Sequence, residues 1–181
     1  MKIEIFENKI EIPNGLDATV ENGILTIKGS RGEIKRAFRA PNVILEKREN
    51  YVILYSKKAT RKEKRMIRTF GAHIKNMING MKTGFIYELK ICSSHFPMKV
   101  VLEDDKVIIS NFFGERTPRV AQVLDGVNVK IDSDMIIVEG VDIEKTGQTA
   151  ANIERATRIT NRDRRVFMDG IWIVSKPIRE N

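Results

Sequence analysis

The chain has 181 residues, of which 41% are apolar and 31% charged, and this content suits one ordinary domain or two small ones with a core. The net charge of +8 favours polyanionic partners. The longest apolar run, Tyr51 to Tyr55, excludes a membrane span, and the alternating N-terminus lacks the apolar segment of a signal peptide.

The order of strand, turn and helix signals occurs twice, over residues 10–78 and again over 95–162. Asn22-Gly23 and Asp104-Asp105 each separate two strand-like runs, as hairpin turns do. The offset of 82 to 84 positions is too long for a solenoid repeat. We therefore predict an α+β fold of two tandem duplicated domains, each an antiparallel sheet with one packed helix, plus a basic C-terminal extension.

The first predicted domain, residues 1–81, is strand-rich until Thr60, which predicts a helix start with Glu63 as capping-box partner. Asn79-Gly80 predicts the end of this helix. An apolar stripe at helical spacing is expected to be buried: Ile67, Phe70, Ile74, Met77 and Ile78. The other side carries a basic face, which either contacts RNA or is simply solvated: Arg61, Lys64, Arg65, Arg68 and Lys75.

The second predicted domain, residues 82–165, opens with a strand from Phe85 to Ile91 and continues through hairpins. The run 145–149 is expected to lead into its helix, and a basic run follows. The C-terminal extension, 166–181, reads as strand, turn, strand and polar tail.

Charge is unevenly distributed along the chain. Residues 1–80 carry 17 Lys and Arg against 9 Asp and Glu, whereas residues 85–151 carry 7 against 11. Residues 152–181 are basic again, with 7 against 4. If the second domain binds nucleic acid, we expect it to do so through its end.

The patterns of catalytic sites are absent. His73 and His95 have no Cys or carboxylate at metal-ligand spacing, and neither a P-loop nor a nucleophile elbow occurs. Asp104-Asp105 suits a hairpin tip, and Cys92, the only cysteine, suits a small buried apolar residue in a reducing cytosol. We predict no enzyme activity, no metal, no cofactor and no small-molecule substrate.

One short glycine pattern is also found in a class of nucleic-acid-binding domains. Gly29-Ser30-Arg31-Gly32 fits the G-x-x-G loop of KH domains, which joins two helices and clamps backbone phosphates. Here it joins two strand-like runs, so we favour a plain turn.

The stretch 146–158 carries the most specific nucleic-acid signal. A helix start at Gly147 would expose backbone N–H groups that suit phosphate, and arginines three or four apart would share one helical face. Arg grips phosphate bidentately and stacks on bases. An exposed charged helix is the alternative interpretation.

At this point the chain resembles a known family, the large-subunit ribosomal protein L-six family in its archaeal and eukaryotic form. The run Gly-Gln-x-Ala-Ala-x-Ile-x-Arg at 147–155 is similar to the helix of that family's second domain. The run Arg165-x-Phe167-x-Asp169-Gly170-Ile171 is similar to its C-terminal signature, with Trp172 where Tyr is expected. The resemblance covers essentially the whole chain.

This resemblance implies a non-catalytic ribosomal component that is cytoplasmic and ribosome-bound. Its expected partners are large-subunit ribosomal RNA near the sarcin–ricin loop and neighbouring ribosomal proteins, with translation factors nearby. The expected RNA-binding residues are Thr146, Gly147, Gln148, Asn152, Arg155, Arg158, Arg162, Arg164, Arg165 and Lys176. The basic face of the first domain is kept as a secondary contact. A free RNA-binding regulatory module and an RNA-processing enzyme remain the alternatives.

Overall fold

The computed structural model describes residues 3–163 and 165–177. The chain divides into two compact units, residues 1–84 and 85–181. Within the described residues, both contain antiparallel sheets and one α-helix, so the predicted α+β fold of tandem domains is confirmed. No helix in the described ranges is long and apolar enough to cross a membrane.

The first unit has two three-stranded sheets, where the sequence predicts one. Its elements are β1 (Ile3–Glu11), β2 (Asp17–Glu21), β3 (Ile24–Gly29), β4 (Gly32–Ala37), β5 (Ile44–Arg48), β6 (Tyr51–Ala59) and α1 (Arg61–Lys82). The sheet orders are β1-β6-β5 and β2-β3-β4. The helix packs against strands of both sheets, and this shared contact forms the core of the unit.

The N-terminus of α1 is confirmed as the sequence predicts it. The Thr60 hydroxyl accepts the Lys62 N–H at 3.3 Å, and the Glu63 carboxylate accepts both the Thr60 N–H, at 2.9 Å, and the Thr60 hydroxyl. Hydrogen bonds from the Thr60 hydroxyl, and then from backbone N–H groups, lower the pKa of Glu63 to about 2. The reciprocal bonds of this capping box set the start of the helix.

The apolar stripe of α1 is also confirmed. Ile67, Ile74, Met77 and Ile78 are buried, and Phe70 packs edge-on against a buried phenylalanine, Phe38, at 5.2 Å between ring centroids.

The predicted end of α1 at Asn79-Gly80 is wrong, because the helix continues to Lys82. Met81 is only 1% exposed, so burial of its side chain extends the apolar stripe past Gly80. The later glycine, Gly84, has a φ of 75° and donates its N–H to the Gly80 carbonyl at 3.0 Å. This left-handed residue provides the helix stop.

The second unit repeats this architecture and adds a strand. Its elements are β7 (Phe85–Cys92), β8 (Lys99–Glu103), β9 (Lys106–Ser110), a 3-10 turn (Phe112–Gly114), β10 (Arg119–Gln122), β11 (Val127–Asp132), β12 (Met135–Gly140), α2 (Ile143–Ala156) and β13 (Gly170–Ser175). The sheet orders are β10-β9-β8 and β11-β12-β7-β13. The order β7 to β12 followed by α2 matches β1 to β6 followed by α1.

The hairpin turns predicted from the sequence lie between corresponding strands. Asn22 and Gly23, with φ of 50° and 75°, join β2 to β3, and Asp104, with φ of 48°, lies in the turn from β8 to β9. Short polar residues and glycine tolerate this conformation, which the right-handed twist of a hairpin requires.

The described part of the predicted C-terminal extension supplies β13 to the second unit. Ile171 lies opposite Ile91 of β7, and Ile173 lies opposite Leu89. The basic tail beyond residue 177 lies outside the described residues and stays a prediction.

Two side chains from α2 and its C-cap complete the hydrogen bonding of β13. The Thr157 hydroxyl accepts the Ile171 N–H at 2.9 Å, and a Glu154 carboxylate oxygen accepts the Ile173 N–H at 3.1 Å. Thr157 is only 2% exposed. These bonds satisfy N–H groups that would otherwise form an open sheet edge.

Replacing Thr157 with Val keeps the side-chain shape but leaves the Ile171 N–H without its acceptor. We expect the free energy of unfolding to fall by about 1–3 kcal/mol, the usual cost of an unsatisfied buried donor. Chemical unfolding in urea measures the change. The control is Thr160→Val at an exposed threonine, and equal stability of the two variants would contradict this role of Thr157.

Candidate nucleic-acid interface

The start of α2 differs from the prediction. Asp142 is the N-cap, and its carboxylate accepts the Glu144 N–H at 2.9 Å, so the helix begins at Ile143. Thr146 is fully buried and donates its N–H and hydroxyl to the Asp142 carbonyl, at 2.9 and 2.7 Å. The predicted helix start at Gly147 is therefore wrong, because that residue lies inside the helix, so its backbone N–H is not one of the free groups of a helix terminus. A contact of this stretch with RNA stays a prediction.

Gly147 has a packing role instead. A Cβ atom at this position would lie 2.8 Å from the Tyr87 hydroxyl oxygen, closer than packed atoms approach. The glycine therefore allows α2 to lie directly against β7.

Gln148 and Asn152 form an ordered pair along α2. The Gln148 amide donates to the Asn152 side-chain oxygen at 2.8 Å, and the Asn152 amide donates to the Gln122 carbonyl of β10 at 3.1 Å. Gln148 is exposed, so this pair presents one polar side chain in a fixed orientation.

The expected arginines begin in the last turn of α2 and continue into the following loop; we call residues 155–165 the arginine segment. Arg155, Arg158, Arg162 and Arg165 are all exposed. The predicted single helical face is wrong, because α2 ends at Ala156 and only Arg155 lies on it. Arg164 lies outside the described residues. Lys176, just after β13, is exposed.

Among the described arginines of this segment, only Arg165 forms an ion pair with another residue of the segment. Arg165 contacts both carboxylate oxygens of Asp163, with the shortest distance at 2.8 Å, and this hydrogen bonding lowers the pKa of Asp163. The Arg165 side chain is 90% exposed, so such a pair contributes little to stability. It leaves guanidinium N–H groups open to solvent.

Arg119 holds the start of the arginine segment in place, and sequence reasoning missed it. Its guanidinium donates to the Ala156 and Arg158 carbonyls at 2.9 and 3.2 Å and lies 4.2 Å from the Phe112 ring centroid. It also grips Glu115 bidentately, and this hydrogen bonding lowers the pKa of that carboxyl. The only local signal is the Glu-to-Arg spacing of four, from the end of the 3-10 turn to the first residue of β10.

Asp169 ties the loop before β13 to the loop after β7. Its buried carboxylate accepts the backbone N–H groups of Ser94 and His95 and lies 3.0 Å from the His95 Nδ1. Burial raises the pKa of Asp169, but the hydrogen bonds from Ser94 and His95 outweigh it, so the pKa lies below its usual value. The family-like signature around Asp169 therefore has a structural role.

The basic face of the first unit is also present. Arg61, Arg65, Arg68 and Lys75 are exposed along α1, whereas Lys64 is partly buried with its Nζ 5.9 Å from the Phe6 ring centroid. Within the described residues, no cluster of His, Cys, Asp and Glu has the composition to hold a metal ion.

The repeated architecture matches a known protein family. The profile described as Ribosomal protein L6 matches residues 12–84 and 96–170, one match in each copy of the repeat. Proteins of this family are structural ribosomal components and not enzymes. The chain belongs to the ribosomal protein L6 family, which confirms the resemblance.

Three archaeal relatives each bear the name large ribosomal subunit protein uL6. The Ignicoccus hospitalis protein is 45% identical over 174 residues, which span 93% of this chain and 94% of the relative. The Methanobrevibacter smithii protein is 46% identical over 168 residues, 93% and 94% of the two chains. The Nanoarchaeum equitans protein is 44% identical over 184 aligned residues, and the alignment covers 97% of this chain and 96% of the relative.

The lowered pKa of Asp169 predicts an acid-sensitive contact. Its bonds stabilise the fold fully above the unfolded-state pKa of about 3.9, and this contribution is lost as pH falls through the lower folded-state pKa. Asp169→Asn, whose amide N–H₂ faces other donors, should lower the free energy of unfolding by about 1–3 kcal/mol at neutral pH.

Urea unfolding at several pH values between about 7 and 2 checks this prediction. The stability difference between wild type and Asp169→Asn should shrink toward the acid end, because protonation removes the carboxylate in wild type. Asp132→Asn, at the exposed last residue of β11, is the control. A difference that stays constant with pH would contradict the assignment.

Proposed function

We propose that this chain is a structural constituent of the large ribosomal subunit, in the cytoplasm, and binds ribosomal RNA mainly through its second unit. The observation that carries this proposal is the arginine segment, in which Arg155, Arg158, Arg162 and Arg165 are exposed on one short stretch. Its relatives bear the name large ribosomal subunit protein. Placement near the sarcin–ricin loop, beside the docking site of translation factors, rests on the family resemblance.

Charge distribution favours attachment by this end of the second unit. Residues 85–151 carry 11 acidic against 7 basic residues, which repels RNA from the body of the unit. The arginine segment reverses that sign locally. Folded RNA is recognised largely by phosphate and shape contacts, and a rigid base with projecting guanidiniums suits that recognition.

The rigid base comes from bonds described above. Arg119 fixes the carbonyls of Ala156 and Arg158, and Thr157 binds β13. The arginines therefore emerge from a fixed backbone, which lowers the ordering cost of binding.

The basic face of α1 is a secondary contact in this proposal. Arg61, Arg65, Arg68 and Lys75 are exposed on one helix, and the first unit has more net positive charge than the second. Its partner is RNA or a neighbouring ribosomal protein. A free regulatory module would instead leave a pool of unbound protein in a cell lysate, whereas this proposal places nearly all of it with large subunits.

Removing charge from the arginine segment should weaken RNA binding in a salt-dependent way. About five phosphate contacts predict a slope of log affinity against log salt near −3.5 to −4.5, by analogy with simpler nucleic acids. The triple variant Arg155→Ala/Arg158→Ala/Arg165→Ala should bind large-subunit RNA fragments more weakly and flatten the slope by about 2–3 units. Filter binding across a salt series measures both quantities.

The matched control is Lys99→Ala/Lys106→Ala/Lys130→Ala, which removes the same charge from exposed strand positions of the second unit. This control should leave the slope nearly unchanged. Equal losses in both triple variants would mean that net charge, and not the arginine segment, drives binding. If the arginine variant changes neither affinity nor slope, the basic face of α1 would be the RNA-binding surface instead.

A further inference from the structure

Aromatic side chains gather beside the arginine segment, where three loops of the second unit meet. The Phe167 ring lies 5.2 Å from the His95 ring and 5.8 Å from the Phe113 ring, between centroids. The Asn111 amide donates to the Pro97 carbonyl at 2.9 Å, which joins two of these loops. Together with the Asp169 bonds, these contacts give the loops one fixed arrangement.

Arg162 lies on this cluster and differs from the neighbouring arginines. Its guanidinium carbon is 4.9 Å from the Phe113 centroid and 5.1 Å from the Phe167 centroid. Arg119 and Arg165 bind carboxylates, but Arg162 has no ion pair with any residue in the described ranges. Two rings therefore orient an exposed guanidinium whose charge is not neutralised.

The backbone beneath the cluster is strained. Phe113 has φ of 51° and ψ of 29°, and Asn111 has φ of 62°. The left-handed region is unfavourable for a bulky aromatic residue, and such outliers concentrate at functional sites. The strain places the Phe113 ring between Phe112, at 4.7 Å, and the Arg162 guanidinium.

Phe96 extends the cluster to solvent. Phe96 is 42% exposed, and its ring lies against Gly114, where a Cβ atom would be only 3.4 Å away. His95 is also accessible, with a side chain 39% exposed. We call His95, Phe96, Phe113, Arg162 and Phe167 the aromatic platform.

We propose that the aromatic platform binds an unpaired nucleotide of RNA, with the base stacked on Phe96 and the Arg162 guanidinium. This inference rests on the proposed function and specifies the RNA feature that the second unit recognises. Unpaired bases stack on aromatic rings and guanidinium planes, whereas bases within a duplex are already stacked on each other. The uncompensated charge of Arg162 favours a nucleotide over an apolar protein surface.

The test uses an RNA hairpin whose loop contains unpaired adenines, one of them replaced by 2-aminopurine, and the same strand annealed to its complement. Wild-type protein should quench the fluorescence of the looped RNA, because stacking quenches 2-aminopurine. Phe96→Ala should weaken binding of the looped RNA by about 5- to 100-fold, as loss of one stacked base does, and abolish quenching. Binding of the duplex should stay within about twofold.

Leu102→Ala is a matched control, because Leu102 is also 42% exposed and lies on a strand of the same unit. It should change neither binding nor quenching, and Phe96→Tyr should restore both. Thermal unfolding of each variant confirms that the fold is intact.

Three results overturn the inference. Equal weakening of looped and duplex RNA by Phe96→Ala would show that no unpaired base is recognised. If RNA binding is salt-dependent but Phe96→Ala leaves it unchanged, the platform does not bind RNA, whereas the proposed function still stands. If the wild-type protein binds no RNA, the proposed function is contradicted as well, and the platform would then be assigned to a protein partner.

Discussion

The buried carboxylate of Asp169 is the contact on which the loop end of the second unit depends. It accepts two backbone N–H groups and lies within hydrogen-bond distance of the His95 ring, across 74 positions of sequence. A buried carboxylate is stable only when such donors compensate its lost hydration. The same residue directly precedes β13, so it sets the entry of the last strand into the sheet. The position of His95, and through its ring contact that of Phe167, follows from this one group.

In the second unit, the residues that hold the backbone in place are not the exposed arginines that carry the positive charge. Groups engaged in hydrogen bonds or ion pairs with the protein build the base: Thr157 and Glu154 accept backbone N–H groups of β13, and Arg119 is paired with Glu115. The exposed arginines then project from that base without having to hold it together. Under the proposed function, an acidic body behind a basic end would orient the unit toward RNA before contact, since like charge repels the wrong face. This division of roles would let a unit with negative net charge over residues 85–151 serve as the proposed RNA attachment point.

Local signals made much of the fold predictable. The Asn22-Gly23 turn and the Thr60–Glu63 capping box involve neighbours in sequence, and both are confirmed. The start of α2 was mispredicted because Gly147 resembles a helix boundary, whereas it permits close packing against Tyr87, a contact made across 60 positions. Arg162 could be assigned to a basic run but not to two aromatic rings, since Phe113 lies in another loop. Contacts between distant loops depend on the tertiary fold, and no local pattern encodes them.

Ultraviolet cross-linking of assembled large subunits, followed by mass spectrometry of the RNA-linked peptides, tests the central claim most directly. Aromatic residues in van der Waals contact with bases cross-link efficiently, so the method reports which surface lies on RNA. The account predicts that linked peptides come from the loops that carry Phe96, Phe113 and the arginine segment. Cross-links confined to α1, with none in the second unit, would contradict it and would make the first unit the principal RNA contact.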